Sequence, residues 1–360
     1  MRGLPRRTVA IALAIALVGV IAAAASARGN SPAKKSATIQ VCVLLPDTTS
    51  SVRYELFDRP YLAKAFRAAH ITYSINNALG DQNKQRSQAD QCLTNGAKVI
   101  LVDALNSGVG ASIETTADAR HVKTVDYDRL VLNGKAAYYV SFNNVNVGKL
   151  QGKGVVAGLR AKGTYSKKPV VAELNGAPTD NNAKLFKQGY DSILKPLYNK
   201  GTFKKGPDQS VPDWNNQKAR TIFDQMLVRT NNKINAVAAA NDGLAGAVVS
   251  SLQAHHLKPV PLSGQDATPQ GVQNILAGWQ TMTVYKSVKL EAATAAKVAI
   301  AIIKNQPVKT NSSINNGTRK VPSIFLKPVT ITKLNYKLLF KDGFLRRNQV
   351  CIGKYRKYCK

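Results

Sequence analysis

From residue 39 to residue 304, short β-branched and apolar runs alternate with amphipathic segments, and no other feature of the chain constrains the fold more. Segments 39–45, 71–75, 99–102, 124–127 and 138–142 read as strands, with helices at 61–69, 85–95 and 112–120. A strand that returns through a helix runs parallel to its predecessor, so the alternation predicts parallel sheets covered by helices on both faces. A second series follows: helix 147–159, strand 170–174, helices 183–197 and 221–229, strand 234–239, helix 244–254, strand 261–264, helix 270–277 and strand 282–285. An Ala-rich helix at 289–304 and a final segment at 325–339, read as a strand pair before a polar tail, complete the chain. The fold class expected is α/β, with two doubly wound lobes.

Residues 1–27 stand apart from that pattern. Arg2, Arg6 and Arg7 precede an apolar run at 9–25, and Ala25, Ser26 and Ala27 have the spacing of a cleavage site. A secretory signal peptide cut near Ala27 is expected, which would leave the mature chain outside the cytoplasm. No Cys lies near the cut to carry a lipid, and no second hydrophobic span follows. The remaining ~330 residues exceed what one hydrophobic core supports, in keeping with two lobes.

In open parallel sheets a ligand sits beyond the carboxyl ends of the strands. Asp128 and Arg129 end one expected strand, Asp180 and Asn182 follow another, and Asn241 and Asp242 end a third. Asp266 ends a fourth, Lys286 follows a fifth, and Arg53 lies just past the first. Asp180, Asn241 and Asp266 also precede expected helices, where capping alone would account for each. Five such strand ends with three cations fit one site better than a set of unrelated caps. Carboxylates accept hydrogen bonds and amides both donate and accept, which matches the vicinal hydroxyls of a polyhydroxylated ligand. Trp214, set among Pro212, Asp213 and Asn215, supplies an aromatic face for the C–H side of a ring. Trp279, before a strand, reads as packing.

The formal charge is +31, or +28 without the three leader arginines. Such an excess favours anionic partners. The cations are scattered, clustering only at Arg346 and Arg347 and at 354–357, and no nucleic-acid motif accompanies them, so no specific nucleic-acid binding is expected. A weak, salt-sensitive contact with an anionic envelope surface is the remaining use for that charge. In an exported chain, four cysteines read as disulfides. Of three connectivities, Cys42 with Cys92 and Cys351 with Cys359 are the pairs expected. The cysteine spacing lacks a metal-binding C-x-x-C and only four histidines are available, so no metal and no cofactor is expected.

Three acids could serve a glycosidase as acid and base. Arg129 and Lys286 beside them would keep the carboxylates ionised, the wrong state for an acid, and no hydrolase or nucleotide motif is present. An enzyme is therefore not expected. A sugar-responsive transcription regulator would need a helix-turn-helix where the export signal stands.

Residues 180–186 (DNNAKLF), 263–267 (SGQDA), 280–286 (QTMTVYK) and 314–317 (INNG) closely resemble the D-xylose-binding family of bacterial ABC sugar transporters, over about residues 41–343. The resemblance implies a type I periplasmic binding protein: two lobes, joined by a three-segment hinge, that close on a monosaccharide, xylose or a related aldose, and present it to a membrane permease. It implies a monomer in the periplasm or secreted, with sugar contacts from Arg53, Tyr54, Asp128, Arg129, Asp180, Asn182, Trp214, Asn241, Asp266 and Lys286. Tyr54 stands where the family often has Trp. On that pattern one lobe would comprise 38–142 with 287–318 and the other 143–281 with 325–345. The Cys-containing basic tail at 346–360 and the high charge depart from the family pattern. A receptor that passes the closed complex to a signalling membrane protein is the alternative use of the same site.

Overall fold

A computed structural model describes residues 38–359; the leader read at 1–27 lies outside them. Among the described residues no helix is long and apolar enough to cross a membrane.

The first strand, β1 (Val41–Leu45), is buried along its whole length. Val41, Val43 and Leu45 pack with Phe66 and Ala295 on one face, and Cys42 and Leu44 with Ala89 and Ile113 on the other. Burial on both faces is what a parallel strand between two helix layers requires. Beside it lie β2 (Tyr73–Asn77), β3 (Val99–Val102), β4 (Lys123–Tyr127) and β5 (Tyr138–Phe142), all in parallel register. The helices between them are α1 (Arg59–Ala68), entered through a π turn at Tyr54–Asp58, α2 (Gln82–Thr94) and α3 (Ser107–Ala119). A disulfide joins Cys42 of β1 to Cys92 of α2.

The second series builds a three-stranded parallel sheet from β6 (Val170–Asn175), β7 (Lys204–Ser210) and β8 (Ala236–Ala239), in the order β7-β6-β8. It carries α4 (Asn144–Ala161), α5 (Asn181–Asn199), α6 (Asn216–Arg229), α7 (Asp242–Ala254) and α8 (Pro269–Leu276). The strand expected at 261–264 is reduced to a single bridge between Leu262 and Val237. The polar strand β7 was not expected at all.

After β9 (Thr283–Tyr285), α9 (Val288–Ile303) returns to cover the first sheet. A hairpin of β10 (Ser312–Asn315) and β11 (Lys320–Leu326) then extends that sheet beyond β5, giving seven strands in the order β10-β11-β5-β4-β3-β1-β2. Residues 325 and 326, read from sequence as part of the final strand pair, are the end of β11 in this sheet. No strand pair forms within 325–339: β12 (Val329–Ile331) pairs antiparallel with β9 instead. Short helices α10 (Leu338–Lys341) and α11 (Arg347–Val350) close the chain, with Cys351 bonded to Cys359. The backbone passes three times between the seven-stranded sheet with its covering helices and the rest of the described chain: from β5 to α4, from β9 to α9 and from β11 to β12.

Candidate functional site

A small cavity lies where the carboxyl ends of both sheets meet. Every one of the ten expected site residues lines it, together with Ser50, Ser51, Phe186 and Gln265. All ten are buried except Asp266, which is partly exposed to the cavity.

Arg53 follows β1 and turns its guanidinium into a set of acids. Its Nε and Nη2 donate to Asp58 at 2.9 and 2.8 Å, Nη2 also to Glu291 at 2.7 Å, and Nη1 to Asp128 at 3.0 Å. Burial would lower the Arg53 pKa, but Asp128, Asp58 and Glu291 outweigh it and hold it well above its ordinary value. Lys286, at the β9–α9 crossing, donates to the same Asp128 oxygen at 3.0 Å. Burial would raise the Asp128 carboxyl; Arg53, Lys286 and Arg129 prevail and hold it far below the usual carboxylate range. Asp128 is ionised and pinned between two cations.

Arg129 reaches across the cavity. Its Nη2 donates to Tyr54 Oη at 3.1 Å and Ser50 Oγ at 3.2 Å, and its Nε lies 3.5 Å from Asp103 and 3.4 Å from Asp180. Asp103, at the end of β3, is fully buried with no hydrogen-bond partner on either oxygen, and burial pushes its carboxyl up. The Tyr54 ring lies 5.6 Å from the Arg53 guanidinium and 5.8 Å from that of Arg129, so its electron-rich face opposes two cations.

The opposite wall is built from helix starts. Asp180 caps α5, accepting from the Asn182 amide at 2.8 Å, while its other oxygen accepts from Trp214 Nε1 at 3.1 Å. Asn241 caps α7 through Leu244. For these two, capping and cavity lining coincide, because helix N-termini beyond parallel strands face the cleft. Asp266 does not cap: Thr268 caps α8 instead. Asp266 accepts from Gln265 at 3.0 Å, and the walls that shield it from bulk water raise its carboxyl against the pull of Lys286 and Arg53. The Gln265 side-chain oxygen Oε1 is buried without a hydrogen-bond partner.

Close helix packing sets the position of this wall. A Cβ on Gly148 of α4 would overlap the Phe186 carbonyl of α5, and one on Gly189 would overlap Val145, so α4 and α5 cross at a pair of glycines. That crossing lets Asn144 donate to Asn182 at 2.9 Å, and Asn182 to the Asp128 carbonyl at 3.0 Å. Asn241 donates to the Ser50 carbonyl at 3.3 Å. With the Arg129–Asp180 pair, these contacts tie the two walls together.

Left-handed backbone occurs at the site. Asp128 (φ 58°), Trp214 (φ 54°), Asp266 (φ 95°) and Ala267 (φ 50°) all take it without being glycine. Such residues cost on the order of 1–3 kcal/mol each and persist only where their surroundings over-determine them. Phe186, one helical turn from Asn182, packs edge-on against Trp214 with centroids 6.4 Å apart. Sequence reading placed Phe186 inside a motif without assigning it to the site; the one-turn spacing from Asn182 was the available signal. Two of the acids that hold Arg53, Asp58 and Glu291, were missed.

The arrangement presents acids, amides, cations and three aromatic residues, Tyr54, Phe186 and Trp214, around one small space. Among the described residues no cluster of His, Cys, Asp and Glu could hold a metal. The family model described as "Periplasmic binding protein domain" matches residues 41–307. The D-xylose-binding periplasmic protein of Escherichia coli (strain K12) is 36% identical over 295 residues, covering 81% of this chain and 87% of that protein. The multiple sugar-binding periplasmic receptor ChvE of Rhizobium radiobacter is 30% identical over 321 residues, covering 84% and 90%. Among solved structures, an ABC transporter solute binding protein from Clostridium phytofermentans with bound β-D-glucose superposes with a TM-score of 0.81 at 26% identity, covering 86% of this chain and 99% of that one. Match, architecture and cleft agree: the chain belongs to the type I periplasmic binding protein family that includes the D-xylose-binding periplasmic proteins.

Proposed function

We propose that the protein captures a monosaccharide, D-xylose or a related aldose, in this cavity outside the cytoplasm and delivers it as a monomer to the membrane permease of an ABC transporter. The observation that carries the reading is the convergence of ten polar and aromatic residues, from strand ends, loops and helix starts around both sheets, on one small space. Asp180 and Asp266 accept from sugar hydroxyls, Asn182 and Asn241 both donate and accept, and Arg129 and Lys286 donate. Trp214 and Tyr54 cover the apolar faces of the ring. The two lobes, one built on the seven-stranded sheet and the other on the three-stranded sheet, turn about the three crossings. Sugar favours the closed state because only that state completes both halves of the hydrogen-bond set, and a ligand shifts such an equilibrium only by its differential affinity.

The names of the relatives support a sugar, and support xylose ahead of glucose. Because a relative of similar coverage is a receptor, handing the closed complex to a signalling membrane protein is the second reading. Cross-linking the sugar-loaded form to its membrane partner separates the two.

A thermal-shift panel of D-xylose, D-glucose, L-arabinose and D-ribose tests the proposal. Ligand at a hundred times its Kd stabilises the folded state by about 2.7 kcal/mol. The largest rise in Tm is expected with xylose. A flat response to every aldose contradicts the reading.

A further inference from the structure

The C-terminal stretch, residues 327–359, carries nine Lys and Arg side chains and one acid, Asp342, whereas the whole chain has 51 to 20. The excess is local and exceeds the diffuse charge of the rest. Asp342 is occupied, accepting from Tyr285 and from Ser287 Oγ.

This stretch is a folded module. Tyr336, Leu339, Phe344, Leu345 and Val350 form a buried cluster with Val272 and Leu276 of α8. Gln273 Nε2 donates to the Val350 carbonyl at 3.1 Å, Arg347 Nη2 to the Cys359 carbonyl at 2.9 Å, and the Cys351–Cys359 bond closes the terminal loop. On this base Arg346, Arg347, Lys354, Arg356 and Lys357 are exposed. The Lys354 and Lys357 ammonium groups lie 5.4 and 5.1 Å from the rings of Tyr355 and Tyr358. Three of the module's aliphatic side chains are also turned outward: Leu334 is 96% exposed, Ile352 49% and Leu338 39%.

Cations, tyrosine rings and outward aliphatic groups together suit the boundary between water and a bilayer. Lysine and arginine are drawn to anionic headgroups, tyrosine sits at headgroup depth, and an exposed Leu or Ile loses water by entering the acyl boundary. A merely solvated basic surface would explain the cations but not the outward leucines. We propose that this disulfide-closed module docks on the surface of an anionic phospholipid bilayer, holding the protein at the membrane.

The test is sedimentation of the full mature protein with phosphatidylglycerol–phosphatidylcholine vesicles and with pure phosphatidylcholine vesicles, at low and high salt. Binding is expected on the anionic vesicles at low salt, falling as salt shortens the Debye length. The triple variant K354E/R356E/K357E should lower vesicle partitioning at least about ten-fold, with an unchanged melting temperature and sugar response. Reversing three exposed lysines elsewhere, K64E/K84E/K98E, should change it less than about two-fold. I352S should lower partitioning by about two- to three-fold, which binding to a soluble polyanion would not show. Equal losses in the two triple variants would assign the effect to diffuse charge and overturn the proposal. So would absent vesicle binding, or attachment only to vesicles that contain a membrane protein.

Discussion

The two walls of the cleft are held by different physics. On the wall of the seven-stranded sheet, Arg53 and Arg129 are fixed by buried acids: Asp58, Glu291 and Asp128 for one, Asp103 and Asp180 for the other. On the wall of the three-stranded sheet, Asp180 and Asn241 are fixed by the helices they cap, and Asp266 by strained backbone with a single side-chain partner. Removing one member of a buried charge cluster leaves the others uncompensated, whereas removing a group that faces a cavity does not. The comparison teaches that the first wall couples binding to stability and the second leaves them separable.

The strongest way to break that comparison is Arg53→Ala. It strands three buried acids and should cost about 3–5 kcal/mol of unfolding free energy in a denaturant titration. A loss under about 1 kcal/mol would show that these acids need no buried cation.

Next in size is the pH dependence. Burial raises the Glu291 carboxyl to about 8 against the pull of Arg53, and raises Asp242 to about 7 against a hydrogen bond from Gln280. Both groups bind protons more tightly folded than unfolded, so the stability they lend is complete below the ordinary carboxylate range and is lost as pH rises through 7 and 8. The Tm should fall by several degrees from roughly pH 5 to pH 9, and the fall should shrink in Glu291→Gln. Asp128 acts in the opposite sense: its depressed carboxyl lends stability above the ordinary carboxylate range and withdraws it in strong acid. A Tm that rises from neutral to alkaline pH would contradict the first-wall account.

The smallest effect sharpens the second wall. Asn241→Ala removes a cap and the bond to the Ser50 carbonyl, so it should cost about 1 kcal/mol of stability. A much larger loss would mean that this wall, too, is a coupled network.

The same contrast governs what could be read from sequence. Fully buried strands such as β1 and β3 announce themselves as apolar runs, because both faces are covered. The edge strand β7, KKGPDQS, pairs on one side only and stays half-solvated, so it carries neither apolar run nor alternation. Ser312–Asn315 of β10 is an edge for the same reason. At the site, residues that end strands or begin helices were legible because local position marks them. Glu291 was not: it lies 238 residues from Arg53 in sequence and meets it only through the return of α9 across the first sheet. Asp103 was within reach, since it directly follows β3 as Asp128 follows β4.

The central claim is that both walls converge on one sugar. Calorimetric titration of D-xylose into the native protein and Asp266→Ala tests it most directly. Asp266 accepts from the Gln265 side chain and lines the cavity, so its loss should weaken binding at least about ten-fold, since a hydrogen bond to a charged group contributes about 1.5–3 kcal/mol, while Tm without sugar stays nearly constant. Saturable one-to-one binding that weakens in this way is the predicted result. Identical affinities in the two proteins, or no heat from xylose or any other aldose, would contradict it.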